Sequence, residues 1–325
     1  MNMKMELKDK KATVKEIKKM ATVLISGGTG MVGKALSKLL TTKGFKVIVL
    51  SRQIPVSEKQ ANSNISFAKW DVKKQEMDIA ALQQADYIIH LAGAGVMDKK
   101  WTAEYKKEIV SSRVDSAALI VNSLKNNGNK VKAVISASAI GWYNSAENIH
   151  TEDEAADENF LGNTCKLWEE SMEPVTKLNK RLVKLRIGIV LSKDGGALKE
   201  FITPVKLGIA AILGSGKQMI SWIHISDLCR MFLFAIENEQ LNGVYNAVSP
   251  APVNNKTLTI TLAKKMKRLF YIPIHVPVFI LKLMLGGRSI EILKSAAVSC
   301  KKIEQAGFEF HFKTIDASLE NILQN

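Results

Sequence analysis

The sequence predicts an α/β protein built on a doubly wound parallel sheet, with a smaller, mainly helical second domain. Three observations carry this expectation. Between residues 22 and 191, β-branched and apolar runs alternate with stretches of helical apolar spacing, the pattern that builds a parallel sheet covered by helices. The first run ends in spaced glycines, Gly27, Gly30 and Gly33. Beyond residue 191 the texture changes to glycine-bounded loops and apolar helices.

The first strand, Thr22 to Ile25, leads into Ser26-Gly27-Gly28-Thr29-Gly30-Met31-Val32-Gly33, and a helix follows with apolar residues at 31, 32, 35, 36, 39 and 40. Strand, glycine turn and helix in that order form a dinucleotide-binding fingerprint. Gly27 permits the tight turn, Gly30 the approach of a pyrophosphate, and Gly33 close packing of helix on strand. The helix N-terminus offers free N–H groups and a positive dipole end to phosphate. Gly44 stops that helix, and Phe45 to Leu50 is a second strand ending at Ser51-Arg52. An NAD-specific fold presents a carboxylate near this point; an arginine instead suits the 2′-phosphate of NADP. Ile65 to Trp70 is a third strand, and Asp71 after it either meets the adenine amine or starts a loop.

Asp86 to Leu91 is a fourth strand that runs into small residues, Ala92-Gly93-Ala94-Gly95. A long helix from Thr102, a plausible N-cap, to Leu124 comes next. Strands at 131–138 and 182–191 complete the sheet, with binding expected at the strands' carboxyl ends. Trp222 to Leu228 begins a further strand–helix element, and from Val253 two apolar helices precede a short segment, Phe308 to Phe312. The most apolar stretch, Tyr271 to Leu285, is interrupted by Pro273, His275, Pro277 and Lys282. It falls short of a membrane span and reads as a packed helix.

Bulk properties narrow the function classes. At 325 residues with 46% hydrophobic and 24% charged residues, the chain suits one large or two modest globular domains. Cys165, Cys229 and Cys300 are odd in number and far apart, which suits a reducing, cytoplasmic setting. The net charge of +15 comes from scattered lysines without interleaved aromatics, so no nucleic-acid partner is expected, and no membrane partner. Residues 1–19, with seven lysines and three acids, read as a disordered tail without a signal peptide's apolar core. His224 and Asp227 lack a third ligand, so no metal is expected. The acidic loop Glu152 to Glu158 is either a gate for anions or a solvated surface.

These residues carry a resemblance. The glycine turn, the strand end His90-Leu91-Ala92-Gly93 and Ser136-Ala137-Ser138 resemble extended short-chain dehydrogenases/reductases. Ser51-Arg52, Ser112-Arg113-Val114, Cys165-x-x-Trp168-Glu169, Gly214-x-Gly216-x-Gln218 with Trp222-Ile223-His224, and Ala306-Gly307-Phe308 narrow it to the NAD(P)-dependent epimerase/dehydratase-like subgroup, whose members include sugar-nucleotide epimerases. The resemblance spans residue 20 to the C-terminus. It implies an NADP-binding domain over residues 20–191 and 222–248, and a substrate domain over 192–221 and 249–325.

By position the resemblance assigns Gly27, Thr29, Gly30, Met31, Val32, Gly33, Ser51, Arg52, Asp71, Leu91, Ala92, Gly93, Glu108, Arg113 and Ile189 to the cofactor. The alternative for Glu108 and Arg113 is that they are surface helix charges. Active members of the superfamily use a tyrosine four residues before a lysine, with a serine to orient the substrate. Ser138 falls on the serine position, whereas Leu161 and Cys165 stand where the pair belongs. Lys166 is one residue off, about 100° around a helix. Tyr143 is the substitute acid–base candidate and Cys165 a second. The expected function is therefore an NADP-dependent oxidoreductase or epimerase acting on a small polar or nucleotide-linked substrate; the alternative is a non-catalytic NADP-binding redox sensor. The oligomeric state stays open, a dimer included.

Overall fold

A computed structural model describes residues 21–54, 64–267 and 270–324; the tail at residues 1–19 lies outside them. The chain order is β1 (Thr22–Ser26), α1 (Met31–Thr42), β2 (Lys46–Ser51), β3 (Ile65–Asp71), β4 (Glu76–Met77), α2 (Ile79–Gln84), β5 (Tyr87–His90), α3 (Ala103–Asn126), β6 (Ala133–Ala139), β7 (Ile149–His150), α4 (Phe160–Met172) and β8 (Arg181–Ile187). It continues through β9 (Ile189–Leu191), α5 (Ala197–Lys206), β10 (Ile209–Leu213), β11 (Met219–Ile220), β12 (Trp222–His224), α6 (Ile225–Glu237), β13 (Gly243–Ala247), β14 (Val253–Asn254) and α7 (Asn255–Lys267). It closes with β15 (Ile272–Val276), α8 (Val278–Leu285), α9 (Ser289–Leu293), β16 (Ala297–Val298), α10 (Lys301–Gln305) and α11 (Ile315–Gln324).

Eight strands form the main sheet in the order β13-β8-β6-β5-β1-β2-β3-β4, parallel except for the β3–β4 hairpin. Its strands are apolar on both faces because both are covered. In β1, Val23 and Ile25 enter one core while Leu24 enters the other; Val47 and Val49 against Ile48 and Leu50 divide β2 the same way. The strand order reverses between β1 and β5, so their carboxyl ends diverge into the crevice where such sheets bind ligands.

A third core joins Leu198 and Val205 of α5, Leu258 and Leu262 of α7, Leu319 of α11, and Trp222. Residues 296–310, expected in the second domain, return to the main sheet's core through Ala296, Val298, Ile303, Phe308 and Phe310.

Three expectations need correction. The strand expected over 182–191 is two strands: β8 ends at Ile187, and β9 pairs with β12 outside the main sheet. Gly188 makes the break, where a Cβ would stand 2.6 Å from the Ser221 carbonyl oxygen. The edge strand β13 went unread, since Val244 and Tyr245 are its only large apolar residues. The packed helix over 271–285 is instead the strand β15 and then α8, of which only Leu281 is buried. Pro273 sits where β15 needs no N–H toward a further neighbour, and Pro277 caps the start of α8.

Candidate active site

The crevice is shaped by glycine contacts. Gly27 has φ +71°, and a Cβ on it would lie 2.8 Å from the Leu91 carbonyl, so the turns after β1 and β5 touch. A Cβ on Gly33 would stand 2.4 Å from Gly28 Cα, which locks α1 against its own turn. Gly30, the N-cap of α1, has only the Gly27 oxygen near it at 3.4 Å, leaving that side open. Thr29 and Gly30 are exposed, and Met31 and Val32 begin the helix half-buried. Met31 also reaches across to the turn after β9, its methyl 3.2 Å from a Cβ position on Gly196.

His90, absent from the sequence reading as a site residue, ties the floor of the crevice together. Its Nδ1 bonds the Ser26 hydroxyl at 2.7 Å and its Nε2 faces the Ser116 hydroxyl at 3.4 Å. Complete burial, with the Arg113 charge adding to it, lowers its pKa to about 3, so the ring is neutral.

At the far end of β2, Ser51 donates to the Gln53 carbonyl while Arg52 is exposed. Asp71 accepts from Lys73 N and Lys74 N and so caps its own turn. On the other wall, Leu91 and Ala92 are half-buried and Gly93 exposed. Arg113 closes against Gly93, donates to the carbonyls of Ala94 and Ile109, and lies over the Trp168 ring at 4.9 Å. Glu108 stands apart, exposed and paired with Lys99 at 3.2 Å. Ile189 opens β9 at 36% exposure.

The two catalytic candidates lie elsewhere than an open cleft. Ser138 is 2% exposed and donates to Glu169 Oε1 at 2.7 Å. Glu169 also receives Arg186 Nε at 2.8 Å, and Arg186 in turn donates to the Tyr143 hydroxyl and the Glu152 carbonyl. Tyr143 is 1% exposed, donates to Asn246 Oδ1 at 2.6 Å and stacks on His150. Burial raises its pKa to about 12. Its hydroxyl thus has both partners within the protein, Asn246 as acceptor and Arg186 as donor. Cys165 fares no better: it is packed under Gly141, and burial pushes its thiol up to about 12.

One signal for this network was present in the sequence. After Arg181, Lys184 and Arg186 alternate with Val183, Leu185 and Ile187 along β8, and charges on a buried strand need partners. Those partners, Glu169 and Glu173, are four apart on one helical segment; Lys184 bonds Glu173 and Arg186 bonds Glu169. The acidic loop is consumed likewise, Glu152 accepting from Asn246 N and Glu154 from His150. His224 and Asp227 also serve the backbone: Asp227 accepts from His311 N and Phe312 N, and His224 stacks on Phe312. Among the described residues no group of three or more His, Cys, Asp or Glu is placed to hold a metal.

Lys294, also unread in the sequence, reaches from the segment after α9 to the Gly141 carbonyl at 3.4 Å and to Glu291 at 3.8 Å. It lines a cavity of about 350 Å³ together with Ser145, Asp157, Asn159, Ile290 and Leu293. Burial raises the pKa of Glu291, against the pull of Lys294. This cavity adjoins the segment that follows Ser138. Asn159 caps α4 through Gly162 N and donates to Asp157, and Ser145 accepts from Ser295 N, so the Lys294 ammonium and Asp157 carboxylate are the groups that can orient a small polar molecule.

Comparison with known proteins adds to this geometry. The NAD dependent epimerase/dehydratase family matches residues 23–171, and a domain of unknown function, DUF1731, matches residues 276–322. The epimerase family protein YfhF of Bacillus subtilis is 33% identical over 303 residues, covering 93% of this chain and 97% of that protein. The epimerase family protein SAR0825 of Staphylococcus aureus is 33% identical over 306 residues, covering 94% of this chain and 99% of its own. Among solved structures, human epimerase family protein SDR39U1 with NADPH superposes with a TM-score of 0.81 at 26% identity, covering 94% and 99% of the two chains. The nucleoside-diphosphate sugar epimerase of Corynebacterium glutamicum superposes with a TM-score of 0.74 at 28% identity, covering 94% of this chain and 59% of that one.

Proposed function

The chain belongs to the NAD-dependent epimerase/dehydratase family, and from that premise we propose that it binds NADP between β1 and β5 and acts as an oxidoreductase or epimerase on a small polar or nucleotide-linked substrate. The observation that carries the cofactor choice is the free end of β2. Arg52 is exposed there, and no carboxylate stands at Ser51-Arg52 to take a ribose 2′-hydroxyl. The cradle fits a pyrophosphate, since the open side of Gly30 is where a ligand needs room and a larger residue would fill it. In this reading the amides from Thr29 to Gly33 hold the phosphates, Asp71 meets the adenine end, and Leu91 to Gly93 with Arg113 line the middle. Ile189 faces the nicotinamide side. The bound cofactor supplies hydride exchange.

The chain's own contribution is to close this wall and to hold the substrate. Arg113, fixed on Trp168, keeps a positive charge near the crevice, and Lys294 with Asp157 orients polar groups in the adjoining cavity. In this reading residues 192–221 and 249–325, which carry Lys294, form the substrate-binding unit.

A second reading is favoured by one observation. Ser138 and Tyr143 are both committed to buried partners, and Leu161 and Cys165 offer no tyrosine–lysine pair. A protein so built binds NADP and reports its redox state without turnover. Incubation with NADPH and a panel of carbonyl compounds and nucleotide sugars, followed by reduced-nicotinamide absorbance, separates the two. Turnover that Ser138→Ala abolishes, with nucleotide affinity intact, supports the enzyme. Nucleotide binding without turnover of any panel member supports the sensor.

A further inference from the structure

Between residues 207 and 284 several large apolar side chains are exposed. Leu207 (79%), Phe270 (83%), Ile272 (66%), Phe279 (70%), Leu283 (84%) and Met284 (65%) stand out into solvent. They lie at the start of the paired strands β10 and β15 and on α8, which follows β15 directly. Ile272 N donates to the Gly208 carbonyl, next to Leu207, and β15 pairs only with β10 before Pro277 turns the chain into α8. In α8, Phe279 and Leu283 are one turn apart and share a face. An apolar helix that leaves only Leu281 buried marks a docking surface.

A second, independent observation selects the occupant. Residues 240–290 contain seven lysines and arginines and no aspartate or glutamate. Lys206 beside Leu207, Lys264 near the end of α7 and Lys282 within α8 are exposed. Lys265 is taken by Asp316 and Glu320, and Arg288 by the Met97 carbonyl. A second copy across a two-fold axis would set this acid-free cationic stretch against itself, on a chain already carrying +15. An anionic surface with an apolar interior satisfies both halves of the pattern.

We propose that this face docks the protein on an anionic lipid bilayer, with Phe279, Leu283 and Met284 of α8 entering the acyl boundary and Lys206, Lys264 and Lys282 meeting the headgroups. Among the described residues no helix is long and apolar enough to cross a membrane. The eight residues of α8 cover about 12 Å, so it lies in the interface rather than through it. This surface differs from the nucleotide crevice, and the proposal is independent of the cofactor reading.

Co-sedimentation of the full-length protein with vesicles of phosphatidylcholine mixed with phosphatidylglycerol, and with vesicles of phosphatidylcholine alone, tests it. Binding to the mixed vesicles that weakens as salt is raised is the expected result. Phe279→Ser or Leu283→Ser lowers that binding about tenfold, as expected for withdrawing one large apolar side chain from the acyl boundary. Lys282→Gln lowers it about fivefold. All three sites are exposed, so thermal melting and NADPH affinity stay at the wild-type level. Absence of binding to the mixed vesicles overturns the proposal, as does binding that the serine variants leave unchanged. A dimer in light scattering that Leu283→Ser dissociates overturns it too, because a second copy then covers the face.

Discussion

Replacing Glu169 by Ala tests whether Ser138, Glu169, Arg186 and Tyr143 form a closed structural network. The Arg186 and Glu169 side chains are 3% and 5% exposed and joined at 2.8 Å. Burial by itself lowers the Arg186 pKa, yet the Glu169 hydrogen bond and charge outweigh it and the net shift is upward. Removing the carboxylate strands a buried cation, which costs about 3–5 kcal/mol. Arg186 keeps the Tyr143 hydroxyl, the Glu152 carbonyl and the face of Trp142 at 3.6 Å, which argues for the lower end. With an unfolding entropy of about 2 cal/mol/K per residue over 325 residues, the melting temperature falls by about 4–7 °C. Glu169→Leu combined with Arg186→Met removes both charges and returns to within about 2 kcal/mol of the wild type. Ser138→Ala, which deletes one hydrogen bond, costs about 1 kcal/mol. Urea unfolding followed by tryptophan fluorescence measures all of these. A Glu169→Ala cost under about 1 kcal/mol would refute the reasoning, since the pair would then be solvated.

The remaining predictions rest on separate features. Gly33→Ala places a Cβ 2.5 Å from the Gly27 oxygen and abolishes nucleotide binding, whereas Gly128→Ala, with nothing within 4 Å, leaves affinity and stability unchanged; calorimetric titration compares them. His90 and His224 are held neutral, with pKa values lowered from 6.5 to about 3 and about 4. The unfolded chain therefore binds more protons below pH 6.5, and stability falls as pH falls toward those values, by about 2 kcal/mol per histidine at pH 5. Melting temperatures across that range, with His90→Asn flattening the slope, check the sign. Burial raises all three thiols, Cys165, Cys229 and Cys300, to about 12, so none reacts with a disulfide reagent at mildly alkaline pH until the protein is unfolded, when three react.

The parallel sheet was legible because its central strands β1, β2 and β5 are buried on both faces, which writes each as a mainly apolar run. Gly27 and Gly33 were legible for a related reason: close backbone approach leaves only glycine. Elements that depend on distant partners were not. The strand β13 is recruited by β8, and the split at Gly188 is imposed by the Ser221 carbonyl; neither is a local preference. Ser138 and Tyr143 have residue types suited to chemistry, but type does not report whether a hydroxyl is already spent on a neighbour. Pro277 did announce a boundary within residues 271–285, yet the sequence could not tell an apolar helix that packs from α8, which faces outward.

Arg52 carries the account's central claim, that the crevice between β1 and β5 holds NADP. Titration of the protein with NADPH and with NADH, wild type beside Arg52→Ala, tests it most directly. The account predicts tighter binding of NADPH, and a loss of about 10- to 100-fold in the variant with NADH affinity unchanged, as expected for charge-assisted bonds to a phosphate. Equal affinity for the two nucleotides, or an Arg52→Ala variant that keeps the preference, contradicts the claim for Arg52. Binding of neither nucleotide contradicts the cofactor site itself.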